Sequence, residues 1–200
     1  MEKFGILVVV LIVAIVVFVF IFARKETANA PIMENNHQNL SISNMLITSP
    51  SFNNNDTIPQ KFTCDDANIN PEIHIQNVPE NAKSLALIMD DPDAPSGTFT
   101  HWTVWNINPK TTVINEKSVP PGLSTVAGAK EESIEGKTSF GRVGYGGPCP
   151  PKGKPHHYFF KIYALDAVLE LPHGATRSQL ETEINKHLLA QAELVGLYGR

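Results

Sequence analysis

Phe4 to Ala23 is the feature that most limits what this chain can become, because every residue of that run except Gly5 is apolar. At about 1.5 Å per residue, a helix of that length is roughly 30 Å long, the thickness of a bilayer core. No charge interrupts the run before Arg24. A secretory signal peptide has a shorter apolar region, roughly 7–15 residues. Residues 1–25 are therefore expected to form an uncleaved transmembrane helix, a single-pass membrane anchor. A removed signal peptide is the other reading: Ala28-Asn29-Ala30 has the small-x-small form of a cleavage site, although Pro31 directly behind it should hinder processing. Lys3 precedes the run while Arg24 and Lys25 come after it, so positive charge nearly balances across it. Leading apolar segments usually export the chain behind them. The rest of the chain is thus expected outside the cytoplasm, tethered if the segment stays and secreted if it is cut. Residues 26–42, rich in Asn, Gln and Glu, read as a polar linker to a domain over 43–200.

That block distorts the composition. The whole chain is 42% apolar, but without the run the remainder is about 36%, low-normal for a globular domain and too apolar for disorder. Without Glu2, Lys3, Arg24 and Lys25, 13 basic and 19 acidic side chains remain, a net of −6. An acidic domain with no basic stripe is a poor nucleic-acid binder, since phosphate neutralisation needs clustered Lys and Arg.

From about Ile42 the pattern is short β runs divided by Pro, Gly and Asn. Glu72 to Gln76 alternates as a half-buried strand does, and Ser84 to Met89 is nearly continuously apolar, as a central strand is. Thr100 to Ile107 alternates again, with His101, Thr103, Trp105 and Ile107 expected on one face. Tyr158 to Leu165 is a further strand rich in aromatics. No strand is succeeded by a helical pattern long enough for a parallel crossover, which argues against a Rossmann-type sheet. One helix stands out near the end. Thr176 with Gln179, or Ser178 with Glu181, fits a capping box, and Leu180, Ile184 and Leu188 would form its buried stripe. The fold class is mainly β and antiparallel, with a carboxy-terminal helix.

Three clusters are dense in functional residue types. Asp90-Asp91-Pro92-Asp93-Ala94-Pro95 ends the central strand; its bland reading is a solvated acidic turn. His101-Trp102 opens the next strand, where a return of about ten residues could bring His101 near Asp91. Alone, a histidine beside a tryptophan is more often an ordinary packed residue. Gly144 to Gly153 is a loop rich in glycine and proline that leads into His156-His157-Tyr158. It is no phosphate-binding P-loop, because prolines 148, 150 and 151 lack the N–H donors such a cradle uses. His156 and Tyr158 share a strand face; His157 takes the other.

In series these motifs resemble the phosphatidylethanolamine-binding protein (PEBP) family, and most nearly its bacterial and archaeal Raf-kinase-inhibitor-like branch. The stretches that carry the likeness are D-D-P-D-A-P, H-W-T-V-W-N-I and G-Y-G-G-P-C-P-P-K-G with P-H-H-Y-F-F-K-I-Y-A-L-D behind it. Phe62-Thr63-Cys64-Asp65, Val78-Pro79-Glu80 and the tail Ala192 to Tyr198 add to it, so the likeness runs from about Ile42 to Arg200. Asp65-Asp66-Ala67-Asn68 stands where many relatives have Asp-Gly, and Cys149 where other branches have glycine.

The resemblance implies two packed antiparallel β-sheets of Greek-key type with a carboxy-terminal helix. It also implies a small pocket for phosphate, a phosphorylated head group or a similar oxyanion. Carried over position by position, the pocket residues are Asp91, Pro95, His101, His156 and Tyr158, with Gly146, Gly147 and Cys149 as backbone rim. His101, His156 and Tyr158 would donate to the oxyanion, loop amides would add donors, and Asp91 would orient a histidine and hold it protonated. Cys64 and Cys149, the only cysteines, fall near that pocket; in an exported domain their even count favours one disulfide, with two reduced thiols as the other reading. Closing so long a loop would contribute roughly 4 kcal/mol.

The leading functional expectation is a non-enzymatic, membrane-tethered binder of anions or phospholipid head groups, regulating a kinase or inhibiting a peptidase, with no cofactor. A hydrolase using Asp91 and His101 competes with it. That reading needs a nucleophile, and Ser139 in Thr138-Ser139-Phe140-Gly141 only approaches the G-x-S-x-G pattern. A metal site from Asp91, Asp93, His101 and His156 is disfavoured, since zinc sites show tighter ligand spacing.

Overall fold

The computed structural model describes residues 44–119 and 133–200. The anchor expected at 1–25 and the linker at 26–42 lie outside these residues. Among the described residues no helix is long and apolar enough to cross a membrane.

Among the described residues the strands, in chain order, are β1 (Leu46–Thr48), β2 (Asp56–Thr57), β3 (Ile73–Gln76), β4 (Ser84–Asp91), β5 (Phe99–Ile107), β6 (Val113–Ile114), β7 (Ile134–Glu135), β8 (His156–Leu165) and β9 (Leu188–Tyr198), with an α-helix, α1 (Arg177–His187), between β8 and β9. A three-stranded sheet has the order β1-β3-β6, and a six-stranded sheet the order β2-β9-β8-β4-β5-β7. The expected antiparallel pairing runs through both, except at one edge, where β2 lies parallel to β9 over two residues.

β4 is the pivot. All eight of its residues are buried. Leu85, Leu87 and Met89 join Ile73, Ile75 and Ile114 of the small sheet and Phe160 and Ile162 of β8. Ala86 and Ile88 turn the other way and pack with Trp105, Leu165, Leu180 and Ile184 beneath α1. The continuous apolar run is therefore ordinary alternation on a strand covered on both faces. Each large side chain so covered contributes roughly 1.5–3 kcal/mol.

α1 begins at Thr176, the first of the two expected starts. The Thr176 hydroxyl accepts from the Gln179 amide, and the Gln179 side chain accepts from the Thr176 amide. Leu180 and Ile184 are buried as the stripe requires, but Leu188 is not part of it: it is 42% exposed and already extended. The helix stops because β9 begins there and pairs with β8 from His156–Tyr198 to Leu165–Leu188. That ladder outweighs one more helical turn, and no local pattern in the sequence signals it.

The expected face of β5 also breaks twice. Thr103 and Trp105 do share a face, since both lie against Gly136, and Trp105 packs in the cluster with Leu180 and Ile184 of α1. Ile107 instead joins the core between the sheets with Trp102 and Val104. The β4–β5 register slips between Leu85 and Leu87, and opposite that slip Asn106 takes a left-handed φ of 56°. An extra residue there reverses the parity of the strand beyond it. Asn tolerates that conformation, and its side chain spans the Leu169 backbone, donating to the carbonyl at 3.0 Å and accepting from the amide at 2.8 Å.

Candidate functional site

The second slip of the β4–β5 register makes the site. Met89 pairs with Trp102 but Asp90 pairs with Thr100, leaving His101 as the extra residue of a β-bulge. Bulges re-aim side chains. Simple alternation would send His101 to the α1 face with Thr103 and Trp105. Instead its ring lies 5.1 Å from that of Tyr158, edge on, and 5.3 Å from that of Phe140. Its Nδ1–H donates to the Gly146 carbonyl at 2.7 Å, and its own carbonyl accepts from the Gly146 amide at 2.9 Å.

The acidic run after β4 is not one solvated cluster. Alternation and the turn send its three carboxylates to three partners. Asp90, 1% exposed, turns to the α1 face and takes a forked ion pair from Arg177. Asp91, 3% exposed, accepts from the Asp93 amide at 2.9 Å through Oδ1 and from His156 Nδ1 at 2.8 Å through Oδ2. Asp93 stays at the surface and binds His157 through both its amide and its ring. That hydrogen-bonding, chiefly the ring contact, lowers the Asp93 pKa. The histidine that Asp91 orients is thus His156; no direct bond joins Asp91 to His101, as the hydrolase reading supposed.

β8 places the remaining members. His156 and Tyr158 are buried on the face shared with Asp91, while His157 lies half out on the other. The Tyr158 hydroxyl is fully buried and makes no hydrogen bond among the described residues, although Asp91 and the Cys149 backbone flank it. Burial first, and then the Asp91 charge, push its pKa far up, so it stays a neutral hydroxyl. Cys149 is joined to Cys64, with Cα atoms 5.4 Å apart. The bond ties the loop ahead of β8 to the 3₁₀ turn Gln60–Phe62 and the residues after it.

These groups enclose a cavity of about 280 Å³ lined by Asp91, Pro95, His101, Cys149 and His156 together with Phe99, Phe140, Pro150 and Pro151. Five of the expected pocket residues therefore meet at one cavity, and Tyr158 packs against His101 behind it. Gly146 and Gly147 do not offer free donors. Their amides are already bonded, to the His101 carbonyl and to Asn68 Oδ1 at 2.7 Å. Their lack of a side chain serves close packing instead: a Cβ on Gly146 would lie 2.4 Å from the Phe140 ring, and one on Gly147 would lie 2.3 Å from the Phe62 carbonyl. Asn68 itself has a φ of 56°, a left-handed conformation that asparagine tolerates.

Burial lowers the His101 pKa from the usual 6.5, and the Gly146 carbonyl and Asp91 only partly offset it. In both cavity histidines Nδ1 is committed, to Gly146 or to Asp91, so Nε2 is the ring nitrogen left for a ligand. In a neutral ring that atom carries a lone pair. Nε2 can donate to an oxyanion only once protonated; the Tyr158 hydroxyl, fully buried, is not part of the cavity lining. Sequence reasoning missed Phe99 and Phe140, the aromatic wall. Phe140 stands in a segment with no periodicity, and only its nearness to Gly146 in three dimensions gives it a role.

Among known proteins, residues 48–199 match the family model described as Phosphatidylethanolamine-binding protein. A UPF0098 protein of Pyrococcus abyssi is 46% identical over 159 residues, covering 78% of this chain and 86% of that protein. A crystal structure of a phosphatidylethanolamine-binding protein homologue from Chlamydia trachomatis superposes with a TM-score of 0.69 at 36% identity, over 79% of this chain and 99% of that one. An Escherichia coli protein described as a member of the mammalian PEBP family gives 0.69 at 30% identity, over 78% and 98%.

Proposed function

The chain belongs to the phosphatidylethanolamine-binding protein family, and from that premise we propose that its cavity binds a phosphate-type oxyanion, free or on a phosphorylated head group, without catalysing its turnover. The observation that carries this reading is the pairing of His101 and His156 at one cavity. Each is tied through Nδ1 and so shares the same remaining nitrogen for a ligand. Asp91 holds one imidazole, that of His156, in place through its Nδ1. Its own negative charge at the cavity makes protonation of the histidines a condition of anion binding.

The apolar collar of Phe99, Phe140, Pro95, Pro150 and Pro151 suits a ligand with a carbon-bearing group outside the anion. An occupied pocket would present that rim to a protein partner, a kinase or a peptidase being the classes the family resemblance implies. The run Phe4–Ala23 supports a single-pass anchor that would hold the domain at a membrane.

Histidine NMR during titration with inorganic phosphate and with phosphoethanolamine tests the reading. Binding at millimolar ligand or below should move the His101 and His156 resonances; silence of both would overturn it. Phosphoester turnover that disappears in His101→Ala would replace it with the hydrolase reading. For that chemistry the Ser139 hydroxyl is badly placed, since it accepts from the Thr100 amide at 2.9 Å and does not line the cavity.

A further inference from the structure

We propose that Arg177, acting through Asp90 and Thr100, is a positioning residue for the pocket: from the opposite face of the sheet it holds the β-bulge that turns His101 toward the ligand. The proposal rests on the binding role of the cavity, but its geometry lies outside that cavity.

Asp90 and Thr100 are cross-strand partners at the step where the β4–β5 register slips. Both are buried, and the Thr100 hydroxyl donates to Asp90 Oδ1 at 3.1 Å. Arg177, the first residue of α1, closes on the same carboxylate with Nε at 3.0 Å from each oxygen and Nη2 at 2.9 Å from Oδ2. The capping box at Thr176 fixes where that guanidinium starts. The next residue on β5 is His101. Thr100 is held on its backbone too: its amide donates to Ser139 Oγ and its carbonyl accepts from the Ser139 amide at 3.0 Å. Phe140, next after Ser139, stacks edge on against both Phe99 and His101. The residue before the bulge is therefore pinned from three sides.

Packing alone would not call for this arrangement. On the same face of β4, Ala86 and Ile88 pack beneath α1 with no polar atoms in their side chains. A buried ion pair is often no more stabilising than an apolar replacement of similar volume, but it is directional. Strand register is what a bulge puts at risk, because a slip of one residue exchanges the two faces. A forked guanidinium–carboxylate pair with a hydroxyl on the third side specifies one register, and at this position the register decides whether His101 faces the cavity or α1.

The test compares Arg177→Met and Thr100→Val with the parent chain, with Ile184→Val as a control that loosens α1 without touching Asp90. Ligand-free histidine titrations by NMR and the Kd for inorganic phosphate are measured on each. The two clamp variants should move the His101 titration up toward the ordinary histidine value as the ring leaves its buried seat. His156, held by Asp91, should keep its own. Phosphate affinity should fall about tenfold, the lower end of what removing an outer-shell partner costs a bound ion, and Ile184→Val should change neither. Should Arg177→Met fail to fold, Thr100→Val, which replaces one hydroxyl by a methyl, carries the test. Folded clamp variants with an unmoved His101 titration would overturn the proposal, and so would equal shifts of His101 and His156. If the parent takes up no phosphate, the binding reading fails by itself, and the ligand-free titrations still decide the clamp.

Discussion

His101 and Gly146 bond to each other twice, ring to carbonyl at 2.7 Å and carbonyl to amide at 2.9 Å, so one bulged strand and one glycine loop form a single rigid corner of the cavity. The corner leaves no room for a side chain on either rim glycine, but the two positions differ in what stands in the way. At Gly146 it is the ring of Phe140, which is 40% exposed and can swing outward; at Gly147 it is the Phe62 backbone carbonyl, which cannot. Gly146→Ala is expected to cost about 1–2 kcal/mol, and Gly147→Ala more than that, about 3 kcal/mol. Denaturant midpoints of the two variants check the order, and equal midpoints would contradict it.

Proton linkage at His101 arises from its burial. Because its folded pKa lies below 6.5, the unfolded chain binds more protons as pH falls past that value. Stability should then be full above about pH 6.5 and decline as pH drops toward the folded pKa. In His101→Asn an amide nitrogen can still reach the Gly146 carbonyl without titrating, so the slope between about pH 7.5 and pH 5 should flatten. Saturating phosphodiester, whose charge is constant over that range, should oppose the decline, because it favours the protonated ring. A variant with the parent slope would show that other groups set it.

Removing either half of the Asp91–His156 pair should not be equivalent. His156→Ala strands a carboxylate that is 3% exposed by removing its imidazole partner, and is expected to cost about 3 kcal/mol. Asp91→Asn keeps an oxygen for the Asp93 amide and buries no charge, so about 1 kcal/mol is expected. Both should lose phosphate binding. Thermal or chemical unfolding ranks them, and a larger loss in Asp91→Asn would mean that the carboxylate is not the costly partner.

Cys64 and Cys149 close a loop with a sequence separation of 85, and Cys149 is exposed at the cavity wall. Reduction, or replacement of both by serine, should lower stability by about 4 kcal/mol through the freed unfolded chain. Intact mass should rise by about 2 Da on reduction. No change in either quantity would show that the thiols are already free.

How much of this was legible in the sequence depended on whether a rule of period two or 3.6 was obeyed. β4 was readable as a continuous apolar run and β8 as a run rich in aromatics, and His156 and Tyr158 fall on one face because alternation holds along β8. The start of α1 was readable from its cap. What was not readable came from residues that break period. His101 and Ile107 each depend on a bulge, and no local pattern announces an extra residue. The resemblance, carried by motif order, brought His101 to the pocket where the period argument sent it elsewhere. β9 stayed hidden because its residues read equally as tail or helix until β8 supplied a partner.

Asn106 offers the sharpest test of the claim that bulges, rather than propensity, set the faces of β5. Its φ of 56° is left-handed, and its side chain satisfies both backbone groups of Leu169, a residue only 4% exposed. Asn106→Gly keeps the backbone conformation at ease but leaves two buried groups without partners, an expected loss of about 2 kcal/mol. Asn106→Ala loses the same bonds and adds the left-handed strain of a Cβ, about 1 kcal/mol more. Urea unfolding of the two variants measures the difference. If alanine proved no worse than glycine, the bulge would have shifted to relieve φ. Ile107 would then leave its place beside Trp102 and Val104, a change that near-ultraviolet circular dichroism of the tryptophans would register.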